Sequence, residues 1–376
     1  MLYLGGITLT LFLVIILISK KDKSNADKLL TLWLFITGVH LLFFYVRNTQ
    51  KHLDFPYLLG IEIPMPLLHG PFLFLYTSAL TNQQQSWKTN LWHFMPYLLS
   101  LLSLIPFFRL PVQQKLYVYQ NEGAGFEPLM TILLFAFVIS GILYSILSLY
   151  KLSKHRKNIS DQFSFTEKIN LRWLRNLTLG LSFIWLIVIF GEDKHVFTAV
   201  VGYVFFIGYF GINQLGIFTN KPPSISNTIT PQVAQEENKA LKSPSNPKVK
   251  YQKSGLGNEK QKVIHQQLTQ LMQDEKLFKV AGLTLRDLAQ KLEVHPNILS
   301  QVINVEEQKN FYDYINHQRI EEFKQLIKLP ENQKFTLLAL ALECGFNSKT
   351  SFNRNFKKVT SISPAEYVKQ QSITLQ

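Results

Sequence analysis

Cysteine is almost missing from this chain: Cys344 stands alone. A single thiol excludes an intrachain disulfide, a disulfide-stapled secreted fold and a zinc site built on cysteines. Charge is scarce too, at 17% of residues where about 25% is usual. Acid is the scarcer sign, 25 Asp and Glu against 39 Lys and Arg, for a formal net charge of +14. No Gly-x-x-x-x-Gly-Lys-Ser/Thr loop and no Gly-x-Gly-x-x-Gly fingerprint occurs in the polar part. The apolar part lacks paired carboxylates, a His-rich metal pattern and a nucleophile elbow. An enzyme is therefore not expected, nor is a cofactor or a metal. Disorder is excluded by the 47% of hydrophobic residues, 29 of them Phe.

What is present is divided unevenly. Residues 1–218 carry 17 basic and 10 acidic side chains among long apolar runs, whereas 219–376 carry 22 and 15 and read as polar linker plus soluble domain. Crossing the hydrocarbon core takes about 17–25 mainly apolar residues in a helix. Leu2–Ile18, Leu29–Val46, Ile63–Leu80, Leu91–Phe108, Leu129–Leu149 and Val196–Phe218 reach that length without Asp, Glu, Lys or Arg. Leu177–Phe190 has only 14 residues but extends to 18 from Trp173, with Arg175 near an end where it can snorkel. The expectation is a bundle of about seven transmembrane helices, its sixth the least complete.

Basic residues set the orientation. With the N-terminus outside, the inner loops 20–28, 81–90 and 151–175 hold twelve Lys and Arg and the outer loops five. The C-terminus then lies inside. The first run lacks a basic leader and a small-residue cleavage pattern, so it reads as an anchor rather than a signal peptide.

Outer loops are short, so an external signal would be read by the bundle or by 109–128. Glu62, His69 and Tyr76 lie in and beside the third run among Pro64, Pro66 and Pro71. An ionisable group at membrane depth usually faces the bundle interior or a wet cavity. Two readings stay open: a ligand pocket or proton sensor, or a proline-kinked helix whose neutral His69 hydrogen-bonds a neighbouring span. His40 reads as a packed, hydrogen-bonded histidine.

From Thr219 to Asn258, Pro222, Pro223, Pro231, Pro244 and Pro247 alternate with Ser, Asn, Gln and Lys without an apolar period. That composition marks a flexible tether. The expected domains are thus 1–218, a transmembrane anchor or sensor; 219–258, a linker; and 259–376, a soluble tail.

Helical period returns in the tail. Val263, Leu268, Leu271 and Leu277 predict an amphipathic helix. Thr284 with Asp287 has the form of a capping box opening a helix with Leu285, Leu288, Ala289 and Leu292 on one face. After the Glu293-Val294 turn, His295 precedes Pro296, which suits a first helical position. Ile298, Leu299, Val302 and Ile303 then repeat a buried face, completing a helix-turn-helix. A long helix over about 311–327 follows, and the pattern recurs. Thr336 caps one helix, Cys344-Gly345-Phe346 turns, and Ser348 caps another that carries Phe352 and Phe356 inward. Two such units on one connecting helix could set two recognition helices in successive major grooves, about 34 Å apart.

The stretch from Ala341 through Gly345-Phe346-Asn347-Ser348 and Phe352-Asn353-Arg354-Asn355-Phe356-Lys357-Lys358, then Ser363-Pro364-Ala365-Glu366-Tyr367, closely resembles the signature of the AraC/XylS transcription regulators. Tyr314-Ile315-Asn316 with Arg319-Ile320 is similar to that family's linker helix. The layout as a whole resembles membrane-anchored AraC-type regulators common in Bacteroidetes. One departure is Ser361, where the family usually has Gly.

The resemblance implies an all-α chain ending in an AraC-type domain with two helix-turn-helix motifs. It also implies a place in the bacterial cytoplasmic membrane, with the tail in the cytoplasm. Its partners would be double-stranded promoter DNA, membrane lipid and RNA polymerase, with a homodimer and an unidentified signal ligand to be added. The first recognition helix would present Asn297, Ser300 and Gln301, the second Lys349, Thr350, Asn353 and Arg354. Asn and Gln can bond adenine edges, Arg and Lys guanine, and Thr can pack on a thymine methyl. Lys357 and Lys358 suit phosphate. The function so implied is a membrane-bound, sequence-specific transcription regulator, an activator or a repressor, coupling a membrane signal to promoter occupancy. The alternative is a transporter with a cytoplasmic DNA-binding regulatory tail, which would require a second interrupted helix matching the third run.

Overall fold

The computed structural model describes residues 1–84, 86–121, 123–166, 171–213 and 257–371. These are helical; among them the one β feature is an isolated antiparallel bridge between Phe163 and Thr284. The proline-rich stretch expected as a linker lies outside the described residues up to Leu256. Two compact units emerge. The first contains residues up to Ser153 and those from Leu171 onward in the apolar half; the second combines the segment beginning at Lys154 with the C-terminal tail.

The first unit is built from α1 (Leu2–Ser19), α2 (Asn25–Asn48), α3 (Pro66–Leu80), α4 (Trp87–Trp92), α5 (Met95–Ser103), α6 (Ile105–Phe108), α7 (Val112–Gln120), α8 (Glu127–Gln162), α9 (Arg172–Phe190) and α10 (Asp193–Asn213). Four of them, α1, α2, α8 and α9, are long and apolar enough to cross a membrane by length and composition. Helix α10 runs 21 residues. Two expected runs differ. The third begins its helix at Pro66 and keeps 15 residues. The fourth, Leu91–Phe108, is divided among α4, α5 and α6, with Pro96 and Pro106 each in the first turn of a new helix. Proline favours a helix start because it lacks the amide that an interior position must donate.

Leu17, Leu30, Trp33, Leu73, Leu174 and Val204 meet in this unit's interior. Small residues allow close approach: a Cβ on Gly38 would lie 2.7 Å from Thr10 Oγ1, and one on Gly141 would run into the Trp185 ring. The outward faces are apolar as well. Phe12, Ile15, Phe35, Ile132, Phe183 and Phe135 stand exposed, the last at 64%.

In the second unit, among the described residues, the last turns of α8 and residues 163–166 accompany seven α-helices. These are α11 (Asn258–Asp274), α12 (Leu285–Lys291), α13 (Pro296–Glu306), α14 (Phe311–Leu326), α15 (Leu337–Glu343), α16 (Lys349–Thr360) and α17 (Pro364–Gln370). Segment 154–166 was expected only as part of an inner loop; it packs with the tail. Two cores form. Leu268, Phe278, Leu288, Leu299, Phe311 and Ile315 fill one, and Ile320, Phe323, Leu340, Phe346, Phe352 and Phe356 fill the other. Helix α14 supplies its first half to one core and its second half to the other, so it is the rod joining the two halves. The face of α11 departs from expectation: Val263 points outward at 51% exposure, while Gln261 turns in, donating from Nε2 to Glu306 Oε1 at 2.9 Å.

Candidate nucleic-acid interface

Local chemistry sets each helix of the tail in place. Thr284 and Asp287 form a full capping box at the start of α12, which satisfies two otherwise orphaned amides. His295 Nδ1 accepts from the Asn297 amide, and Pro296 occupies the first turn of α13. Between these helices Glu293 adopts φ 54°. Thr336 caps α15, Ser348 caps α16, and Ser363 with Glu366 boxes α17.

Two turns depend on left-handed backbone. Gly345 has φ +94°, and a Cβ there would meet Phe278 O at 2.6 Å and Lys279 O at 2.7 Å. Ser361 closes α16 at φ 66°, a conformation that costs an L-residue roughly 1–2 kcal/mol. The substitution of Ser for the family's usual Gly therefore leaves the turn intact but strained.

Aromatic packing holds α16 against α14. The ring of Phe352 lies 4.6 Å from Phe323, 5.4 Å from Phe346 and 5.5 Å from Phe356. With that side fixed inward, Lys349, Thr350, Asn353, Lys357 and Lys358 project into solvent. Lys358 also pairs with Asp313 at 2.6 Å. Arg354 is half-buried: its Nη2 donates to the Tyr312 hydroxyl at 2.6 Å and to Thr166 Oγ1 at 3.4 Å. Asn355 Nδ2 donates to the same Tyr312 oxygen at 2.7 Å. Tyr312 thus steadies both neighbours on α16. Sequence reasoning passed over it, because it lies 42 residues from Arg354 and no local pattern links the two.

On α13, expected as the first recognition helix, Asn297 is exposed and Ser300 half-buried, with the Ser300 carbonyl accepting from Asn304 Nδ2 at 2.8 Å. Gln301 was expected on the open face, but α13 turns it inward, at 8% exposure. It stands two residues beyond the core residue Leu299 and next to Val302, on the flank of the packed side.

Charge elsewhere in the tail serves the fold. Glu322 accepts from Lys276 at 3.0 Å and pairs with Lys279 at 2.9 Å. Burial would raise the Glu322 carboxyl, but these two ammonium groups outweigh it and hold the group below its usual range. Cys344 is fully buried, and burial, with Glu322 nearby, pushes its thiol up to about 12. It is a packed, protonated core residue.

The three candidate sensing residues of the first unit do not converge on one point. Glu62 precedes α3 and accepts from the Tyr119 hydroxyl at 2.6 Å. His69 accepts at Nδ1 from Trp33 Nε1 at 3.2 Å, and its Nε2 lies 3.1 Å from His40 Nδ1. Since Nδ1 accepts, a neutral His69 carries its proton on Nε2 and donates to His40. Tyr76 is buried against Trp33 and Trp173, with ring centroids 6.4 and 6.0 Å away. Trp33 therefore joins His69 to Tyr76, while Glu62 belongs to a separate group.

Comparison with known proteins agrees with the tail's geometry. Residues 288–370 match the family described as "Helix-turn-helix domain". Over 90 residues the chain is 34% identical to the uncharacterized HTH-type transcriptional regulator YijO of Escherichia coli (strain K12), a match covering 24% of this chain and 31% of that protein. No solved structure matches. The C-terminal region of this chain is an AraC-type helix-turn-helix domain.

Proposed function

We propose that this protein is a membrane-anchored, sequence-specific DNA-binding transcription regulator. The observation that carries the reading is the paired arrangement in the tail. Two capped helix-turn-helix units, each with its own core, share one rod, α14. That arrangement suits two recognition helices entering successive major grooves. Anchoring is supported by the apolar outer faces of α1, α2, α8 and α9, since apolar patches of that extent are unusual on proteins surrounded by water.

In this reading 1–218 anchor and sense, 219–258 tether, and 259–376 bind DNA, with the tail on the cytoplasmic side. Asn297 and Ser300 read from α13, while Lys349, Thr350, Asn353 and Arg354 read from α16. Lys357 and Lys358 contact phosphate, and Gln301 is left to packing. From Lys349 to Lys369 there are five basic residues and one acidic, a local electrostatic footprint rather than a generally adhesive surface. The bundle acts by population shift, changing the tail's freedom or its pairing with a second copy, and so the occupancy of promoter DNA and access of RNA polymerase. Glu62, His69 and Tyr76 are the starting points for locating the signal.

The test is to fix cells with formaldehyde, isolate the membrane pellet, immunoprecipitate the protein and sequence the attached DNA. A small set of sharp peaks is expected. Recovery in the soluble fraction would contradict the anchoring, and a flat profile the regulator reading.

A further inference from the structure

The end of α8 carries an extended segment that the tail holds as if it were a bound peptide. Ser164 is 1% exposed. Its amide donates to Leu283 O at 3.3 Å and its hydroxyl to the same oxygen at 2.7 Å. Its carbonyl accepts from Asn316 Nδ2 at 3.1 Å and from Arg319 Nη1 at 3.2 Å, and its Oγ accepts from Arg319 Nη2 at 3.3 Å. Beside it, Phe163 bridges Thr284 in antiparallel fashion. Two residues on, Thr166 accepts from Arg354. The segment is thereby stitched to the entrance of α12, the middle of α14 and the recognition helix α16.

The groove is built for such an occupant. Asn316 and Arg319 are buried polar side chains on α14, and both aim donors at Ser164. Further acceptors around the Arg319 guanidinium include Phe278 O at 2.7 Å, Val280 O at 2.9 Å and Asn316 Oδ1 at 3.2 Å. Withdrawing Ser164 would strip two acceptors from a buried cation and one from a buried amide, which is costly in a low-dielectric interior. Main-chain pairing at Thr284 and side-chain recognition at Ser164 together resemble the way an added strand is read by a sheet edge.

We propose that Phe163–Thr166 is an intramolecular ligand of the DNA-binding domain and that its docked form competes with DNA. The competition centres on Arg354. A bidentate contact with guanine needs the guanidinium fork pointed at the base, whereas the docked segment sets Thr166 Oγ1 at 3.4 Å from the Arg354 Nη2 that Tyr312 of α14 already holds at 2.6 Å. Because Phe163 directly follows Gln162, the last residue of α8, rotation or displacement of that helix end would withdraw or seat the segment. This inference rests on the reading of α16 as a base-reading helix.

The test traps the docked form in the full-length protein. Residues facing each other across an antiparallel bridge have Cα atoms about 4.5–5.5 Å apart, within the range a disulfide spans. Phe163→Cys with Thr284→Cys, in a Cys344→Ala background, is reconstituted in lipid nanodiscs. The probe is a random-sequence double-stranded DNA library; fragments retained by the reduced protein are sequenced, and the strongest becomes the labelled probe. The disulfide is expected to form readily without DNA. Oxidised protein should bind the probe about tenfold more weakly or worse, with recovery on reduction. The reduced form of the same molecule controls for damage to the α12 cap. Equal affinity in both redox states, or failure of the disulfide to form, overturns the competition. If neither reduced variant nor unmodified protein retains any fragment, the DNA-binding reading itself has failed, and this inference with it.

Discussion

Arg319→Leu should destabilise the tail substantially, and the size follows from its surroundings. The guanidinium is 1% exposed and donates to Phe278 O, Val280 O, Asn316 Oδ1 and both oxygens of Ser164. Leucine recovers part of the packing but leaves the Phe278 carbonyl without this donor, whereas the Val280 carbonyl keeps the Leu283 amide at 3.1 Å and the Ser164 carbonyl keeps Asn316 Nδ2 at 3.1 Å. A buried group left unsatisfied costs about 1–3 kcal/mol, which sets the expected loss at about 2 kcal/mol. Cys344 supplies the assay, because it is the one cysteine and lies fully buried in the second core. In native protein its thiol stays protonated and shielded, and alkylation reports opening of the tail with the membrane part still in lipid. At a slope of about 1–3 kcal/mol per molar urea, the midpoint for Cys344 labelling should fall by about 1 M. A shift below about 0.3 M would refute the reasoning, showing that water replaces the lost donors at no cost. Arg319→Lys, which keeps the charge but loses the planar fork, should fall between.

Arg354→Ala is expected to weaken specific DNA binding by about 1–3 kcal/mol and to relax preference at one base; equal loss on every sequence in a binding-site selection would reduce it to a phosphate contact. Ser361→Gly should stabilise the tail by about 0.5–1 kcal/mol by relieving the left-handed turn, and Gly345→Ala should cost about 2–3 kcal/mol through its contact with the Phe278 and Lys279 carbonyls. Both are read by the same labelling midpoint, and an unchanged value in either contradicts the turn geometry. Glu322 has its folded pKa held below the ordinary 4.5, so it stabilises above that pH, and the contribution is lost as pH falls through the lowered folded value. Glu322→Gln should therefore flatten the acid limb of the stability profile, and an unaltered limb would show that the Lys276 and Lys279 pairs are energetically silent.

What could be read directly from the chain was what short-range chemistry decides. Thr284, His295-Pro296, Thr336 and Ser348 begin helices where their spacing predicts, because a cap needs only its own amides two or three residues on. The long helix at 311 and the inward Phe352 and Phe356 were likewise legible from a 3.6-residue period. Hydropathy found the apolar runs but not their interruptions: a run such as Leu91–Phe108 has the same mean apolarity whether or not Pro96 and Pro106 divide it. On α11 the period alone favoured Val263, while pairing between Gln261 and Glu306, 45 residues apart, reversed that choice. The same limit hid Tyr312 beneath Arg354 and Ser164 against Arg319, a contact across 155 residues. Gln301 shows the reverse error, a residue type suited to reading adenine placed where its helix turns inward.

Sequence reading by the tail is open to a direct check through genome-wide capture. Fragmented genomic DNA is passed over the purified full-length protein in nanodiscs, beside the Arg354→Ala variant. A few sharp peaks are expected for the native protein, lost or broadened in the variant. Smooth, salt-sensitive enrichment that is identical in both would contradict it, because backbone charge alone would then account for the binding.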